Sequence, residues 1–146
     1  MTLSLATEDD ARMRAHLSRA YPEEGCGVLL GTEQEGARRI VEIATLDNHR
    51  TGDRSRRFLI SPEQFLAVEK RARERGIEVL GFFHSHPDHP AEPSAFDLEH
   101  AWPYYSYLIV SVRDGEPGEA TAWRLAEDRT RFVPETLIVP GMGGSR

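Results

Sequence analysis

Cysteine occurs once in this chain, at Cys26, so no internal disulfide can form, in keeping with a reducing compartment. Long apolar runs are missing too: none approaches the ~20 residues a membrane-spanning helix needs. The first residues are acidic where a secretory leader would carry a basic segment and an apolar core. Positive charge is in deficit, with 18 Lys and Arg against 24 Asp and Glu and a net charge of −6, which gives a phosphate backbone no electrostatic attraction. Neither nucleic acid nor a membrane is therefore an expected partner, and a cytoplasmic location is expected. Internal repeats, low-complexity tracts and an interdomain linker are all lacking. What remains is 146 residues, 39% hydrophobic and 29% charged, the composition of one globular domain large enough to bury most of its core. That domain is expected over residues 1–140, with GMGGSR at 141–146 as a mobile tail.

Along the chain, TLSLA reads as a short strand, followed by a helix to about Arg19 with Thr7 and Asp10 as its capping pair and Ala11, Met13, Ala15 and Leu17 as a loose apolar face. His16 lies among charges and reads as a surface residue. GCGVLLG is a buried strand, Glu33 to Gly36 a turn, and RRIVEIATL a second strand, together a hairpin. The polar stretch LDNHRTGDRSRRF reads as a loop in which Arg50, Arg54, Arg56 and Arg57 form a solvated face. Ser61, Pro62 and Gln64 supply an N-cap, a first-turn proline and a capping box for a helix to about Glu74, ended by Gly76, with Phe65, Leu66, Val68 and Ala72 turned inward. IEVLGFF is the next strand and YSYLIVSVR a central one; DGEPGE is a turn, and TAWRLAED and RTRFVPETLIV are the last two strands, with Pro134 marking an edge or a bulge.

The chemistry concentrates in HSHPDHPAEPSAFD, from His84 to Asp97. His84 and His86 are two apart at the end of a strand, so both imidazoles face one side, and Ser85 between them faces the other. Ser94 and Asp97 are three apart at the start of a short helix and share one of its faces. Pro87, Pro90 and Pro93 stiffen the connection between the two pairs. Two neutral imidazoles and one carboxylate suit a catalytic Zn²⁺, which takes three protein ligands, keeps a fourth position for water and brings that water's pKa down to roughly 7. Spacing alone leaves a second reading level with this one: a surface loop with histidines, beside a Ser94–Asp97 capping box.

HSHP and the SAFD that follows, with the seven residues Pro87 to Pro93 between His86 and Ser94, resemble the signature of the JAMM or MPN+ metalloproteases, of which the JAB-type proteins are the prokaryotic branch. That family also has a glutamate before a Cys-Gly pair in an apolar strand, and PEEGCGVLLG places Glu24 there, sixty positions before His84. The resemblance implies a single mixed α/β (α+β) MPN-type domain, a curved and largely antiparallel sheet flanked by helices, similar to the cytidine-deaminase architecture. It implies that His84, His86 and Asp97 hold one Zn²⁺ with its water. Glu24 is implied as general base and then acid, and Ser94 as a donor to the developing oxyanion. His89 and His100 have no counterpart in the signature and read as surface residues or as neighbours of the ligands. Cys26, inside an apolar strand, reads as an inert thiol.

The implied activity is that of a zinc-dependent peptidase or isopeptidase. Small members of the family resemble enzymes acting at the C-terminal Gly-Gly of ubiquitin-like or sulfur-carrier proteins, releasing a small amino acid such as cysteine or undoing a conjugate. Two other classes stand beside it: an MPN assembly scaffold without catalysis, disfavoured because every motif position is filled, and a metal-dependent hydrolase of small amino-acid conjugates.

Overall fold

The computed structural model describes residues 1–47 and 60–140. The Arg50, Arg54, Arg56 and Arg57 stretch, His49 and the expected tail at 141–146 lie outside the described residues. The elements run β1 (Thr2–Leu5), α1 (Thr7–Ala20), β2 (Cys26–Gln34), β3 (Ala37–Leu46), α2 (Pro62–Glu74), β4 (Glu78–Pro87), α3 (Ala95–His100), β5 (Ser106–Arg113), β6 (Glu116–Leu125) and β7 (Phe132–Ile138). The curved sheet closes on itself in the order β1-β3-β2-β4-β5-β6-β7. β1 pairs parallel with both β3 and β7 and so completes the ring. β4 and β5 are also parallel, and the other four pairings are antiparallel. No helix among the described residues is long and apolar enough to cross a membrane.

The near-continuous apolarity of β2 and β4 has a direct cause, since both of their faces are covered. Leu29 and Phe83 pack with Leu3, Met13 and Leu17 on the α1 side. Val28, Leu30 and Phe82 pack with Val68 and Ala72 on the α2 side. Alternation does not run unbroken through these strands. Leu29 pairs with Gly81 and Leu30 with Val79, so Leu80 is an extra residue in β4. Leu30 also pairs with Glu42 and Gly31 with Ile40, so Val41 is an extra residue in β3. A one-residue bulge reverses the facing of everything beyond it. Leu80 and Phe83, three apart, consequently both face the α1 side, while Phe82 and the residues in step with it face α2. Gly31 sits at this double irregularity, where a Cβ would lie 1.9 Å from the Arg39 carbonyl oxygen.

Several local expectations hold. Ser61 Oγ accepts the Gln64 N–H while Gln64 Oε1 accepts the Ser61 N–H, and Pro62 opens α2. Gly76 adopts φ +73° beyond its end. Others need correction. α1 starts at Thr7 itself, so the residue before it is Ala6, which has no side chain to cap with, and the Thr7 hydroxyl donates to the Pro140 carbonyl. The inward face of α1 is Asp10, Met13 and Leu17, with Ala11 and Ala15 exposed. Leu66 points outward at 61% exposure. The first hairpin turns on Glu35 and Gly36 alone, both at positive φ, as a two-residue loop requires, and Glu33 and Gln34 stay in β2. In DGEPGE only Asp114 and Gly115 turn; Glu116 onward is strand. Pro134 pairs with Trp123 of β6, in the part of β7 beyond the reach of β1, so its missing N–H costs no ladder bond there. His16 is neither an open surface residue nor a ligand: its Nε2 lies 3.1 Å from the Cys26 carbonyl oxygen and 3.2 Å from that of Leu46, closing the end of the β2–β3 hairpin.

Phe83 is fully buried in the α1-side core. Phe83→Ala should lower the unfolding free energy by about 3–5 kcal/mol in urea melts, the usual cost of deleting a buried phenylalanine. A loss below about 1 kcal/mol would show that the core closes around the void.

Candidate metal centre

Parallel strands cannot be joined by a tight turn, so the chain leaving β4 must travel back to the start of β5, and that crossover carries α3 past the end of β4. Two groups meet there. In step with Phe82, His84 and His86 face the α2 side; they are 1% and 7% exposed. From α3, Asp97 reaches back to them. The His84 and His86 Nε2 atoms are 3.2 Å apart. Asp97 Oδ1 lies 3.2 Å from His84 Nε2, and Oδ2 lies 3.1 Å from His86 Nε2. A tetrahedral ion with bonds of 2.0–2.1 Å separates its ligand atoms by about 3.3 Å; the two imidazole nitrogens stand at that spacing from each other, and each stands near it from one of the two Asp97 oxygens. It is the one group of three or more metal-ligating side chains found among the described residues.

Hydrogen bonding and burial act differently on the two rings. The Pro90 carbonyl lies 3.0 Å from His86 Nδ1, so the Nδ1–H donates to it and the Nε2 lone pair is left for a cation. Burial pushes His84 down toward the neutral imidazole, more than the neighbouring Asp97 charge raises it. For His86, burial works in the same direction but is outweighed by hydrogen bonds to Asp97 and Pro90, and the net shift is upward. Burial disfavours the Asp97 carboxylate, yet the His84 charge, both imidazole contacts and the Ser94 N–H hold it well below the usual carboxylate range. It stays ionised at neutral pH.

Ser94 and Asp97 also form the capping box, with Asp97 N–H donating to Ser94 Oγ at 3.0 Å and Ser94 N–H to Asp97 Oδ2 at 2.9 Å. The two readings that spacing left level thus coexist in the same atoms: the cap aims the carboxylate at the histidines. Ser94 itself is exposed, and its hydroxyl proton is not consumed by the cap, where the oxygen is the acceptor.

Glu24 is 5% exposed, in the short connection between α1 and β2. Cys26 pairs with His84 across the β2–β4 ladder, and the Gly25 carbonyl accepts the Ser85 N–H, so the backbone at Glu24 enters alongside the histidine segment. It is not among the three clustered ligands. Its charge, with that of Asp47, adds to burial in pushing the Cys26 thiol up to about 12, as expected for an inert cysteine. His89 and His100 are exposed; His100 Nδ1–H donates to the Phe96 carbonyl, and its ring stacks on that of Phe96 at 4.0 Å. Ser85 faces away from the imidazoles and accepts the Gly25 N–H.

Sequence reasoning missed the cavity. A space of about 430 Å³ opens beside His84 and Asp97, walled by Phe65, Phe82, Trp102 and Tyr107 among others. Its signal is the aromatic run from Trp102 to Tyr107 directly after α3, of which only Tyr105 and Tyr107 enter the strand reading.

Residues 9–126 match the family described as prokaryotic homologs of the JAB domain. A desampylase from Haloferax volcanii is 36% identical over 114 residues, covering 75% of this chain and 80% of that protein. A CysO-cysteine peptidase from Mycobacterium tuberculosis is 34% identical over 130 residues, covering 86% and 84%. A solution structure of a protein from Desulfitobacterium hafniense superposes with a TM-score of 0.82 at 32% identity, covering 94% of this chain and 92% of that one. Fold and site together define a JAB/MPN-type domain whose His-His-Asp group could hold a metal ion. The chain belongs to the prokaryotic JAB family.

Cys26 is fully buried with a thiol pushed up to about 12. At pH 8 the folded protein should therefore leave Ellman's reagent unreacted for hours and release one equivalent on unfolding; rapid labelling of native protein would contradict this burial.

Proposed function

We propose that this chain is a zinc-dependent peptidase or isopeptidase that hydrolyses the amide bond after the C-terminal Gly-Gly of a ubiquitin-like or sulfur-carrier protein. The observation that carries it is the convergence of His84 Nε2, His86 Nε2 and Asp97 at 3.1–3.2 Å, in a chain similar to proteins named desampylase and CysO-cysteine peptidase. In this reading His84, His86 and Asp97 hold one Zn²⁺ per chain. When bound, the ion supplies Lewis acidity, making water nucleophilic at neutral pH and polarising the substrate carbonyl. The remaining work falls to the protein. Glu24, buried at the entrance to β2, takes a proton from the attacking water and passes it to the leaving amine. Ser94, its oxygen fixed by the Asp97 N–H, donates its hydroxyl proton to the carbonyl oxygen as negative charge develops. A glycine tail suits such a site because it lies flat and can pair as an added strand. A cytoplasmic setting accords with the single cysteine kept as a thiol.

Metal content and cleavage should be measured together, with a sulfur-carrier protein extended beyond its Gly-Gly as substrate. Wild type and Glu24→Gln are expected to carry near-stoichiometric zinc, with turnover in the variant down by roughly 100-fold or more. Zinc without cleavage by the wild type would retain the site and discard this substrate. Failure to take up zinc on reconstitution would leave a scaffold. Asp97→Asn should lower zinc retention, because it removes the only anionic member of the donor set; unchanged zinc content would remove Asp97 from the ligands.

A further inference from the structure

β2 is counted from Cys26, yet its contact with β4 continues one residue further by different means. Ser85 N–H donates to the Gly25 carbonyl at 3.1 Å, as the ladder would have it. The reciprocal bond is not backbone to backbone: Gly25 N–H donates to Ser85 Oγ at 2.8 Å. In a regular hydrogen-bonded antiparallel pair the two residues exchange N–H···O=C bonds in both directions. Here a buried hydroxyl takes the place of one carbonyl, at the residue directly after Glu24. From behind, Gly25 is pressed by α1, where a Cβ would lie 2.8 Å from Leu17 Cδ2 and 3.0 Å from Ala20 Cβ. The far end of the same short connection is also tied to the histidine segment, since Tyr21 Oη donates to Asp88 Oδ2 at 2.7 Å.

We propose that Ser85 is a positioning residue: its hydroxyl, by holding the Gly25 N–H, fixes the backbone from which Glu24 reaches the histidine face. His84 and His86 point to one side of β4 and Ser85 to the other, so one tripeptide serves both partners of the reaction, the imidazoles holding the ion and the serine placing the glutamate. This rests on the reading of Glu24 as the proton-handling group. The pairing also explains why a buried polar side chain at 0% exposure is tolerated between two metal-ligand candidates: its oxygen has a donor to accept from.

The test joins amide exchange with kinetics. In the metal-free protein the Gly25 amide should be protected, and Ser85→Ala should speed its exchange at least about tenfold while Leu108 in β5 keeps its protection. In the zinc-loaded protein, Ser85→Ala should keep zinc content and KM while kcat falls by about tenfold to 100-fold, with Ser85→Thr restoring most of it. In the Glu24→Gln background the same change should cost little further residual turnover, since Ser85 acts through Glu24. The proposal is overturned by a Gly25 amide that exchanges at the free-peptide rate in the wild type, by wild-type kcat in Ser85→Ala, or by an equal fractional loss in both backgrounds. Should Ser85→Ala not fold, the wild-type exchange rate and Ser85→Thr decide. Full turnover in Glu24→Gln would defeat the reading beneath the proposal, and the Gly25 exchange, which needs no turnover, tells that failure from a failure of the tether.

Discussion

Cys26 pairs with His84 across the antiparallel β2–β4 ladder, and most of the site's geometry descends from that register. It brings the backbone at Glu24 alongside the histidine segment. Its phase in turn is set by the bulge at Leu80, without which alternation would turn Phe82, His84 and His86 toward α1 and away from α3. A strand buried on both faces can hold two imidazoles rigidly, because packed neighbours on either side leave no room for another rotamer. The same packing removes water from the imidazoles and pushes His84 toward the neutral form, the state in which a nitrogen can ligate.

The second half of the site is local. A six-residue helix has little stability of its own, and α3 has no buried residue; its start is fixed by the Ser94–Asp97 box. Because the same Asp97 carboxylate accepts the Ser94 N–H and faces both histidines, forming the helix and aiming the carboxylate are one event. Parallel pairing of β4 with β5 is what brings that helix to the strand's end, since it demands a crossover there.

How much of this was legible in the sequence follows from the range of each interaction. The Ser61–Gln64 box and the glycine stop of α2 were read correctly because they depend on residues within a turn of one another. The strands and their order along the chain were visible from apolarity. His84, His86, Ser94 and Asp97 stood out through spacing, and Glu24 only through resemblance, since nothing local separates it from Glu23. What escaped was set across the fold. The bulges in β3 and β4 sit opposite neighbouring residues of β2, Leu29 to Gly31, and so depend on strands far apart in sequence. α1 takes in Thr7 as its first residue, and the Thr7 hydroxyl binds Pro140, at the other end of the chain. His16 found two carbonyls on β2 and β3. Ring closure depends on a four-residue strand pairing with β3 and with β7 near the far terminus, which no local pattern encodes.

Zinc K-edge X-ray absorption on the zinc-loaded protein addresses the central claim most directly, because it reads the ligand atoms themselves. A first shell of nitrogen and oxygen at about 2.0–2.1 Å, with outer-shell scattering from two imidazoles, is the expected result. A sulfur contribution near about 2.3 Å, or a shell with no imidazole scattering, would contradict the assignment of His84, His86 and Asp97 to the metal.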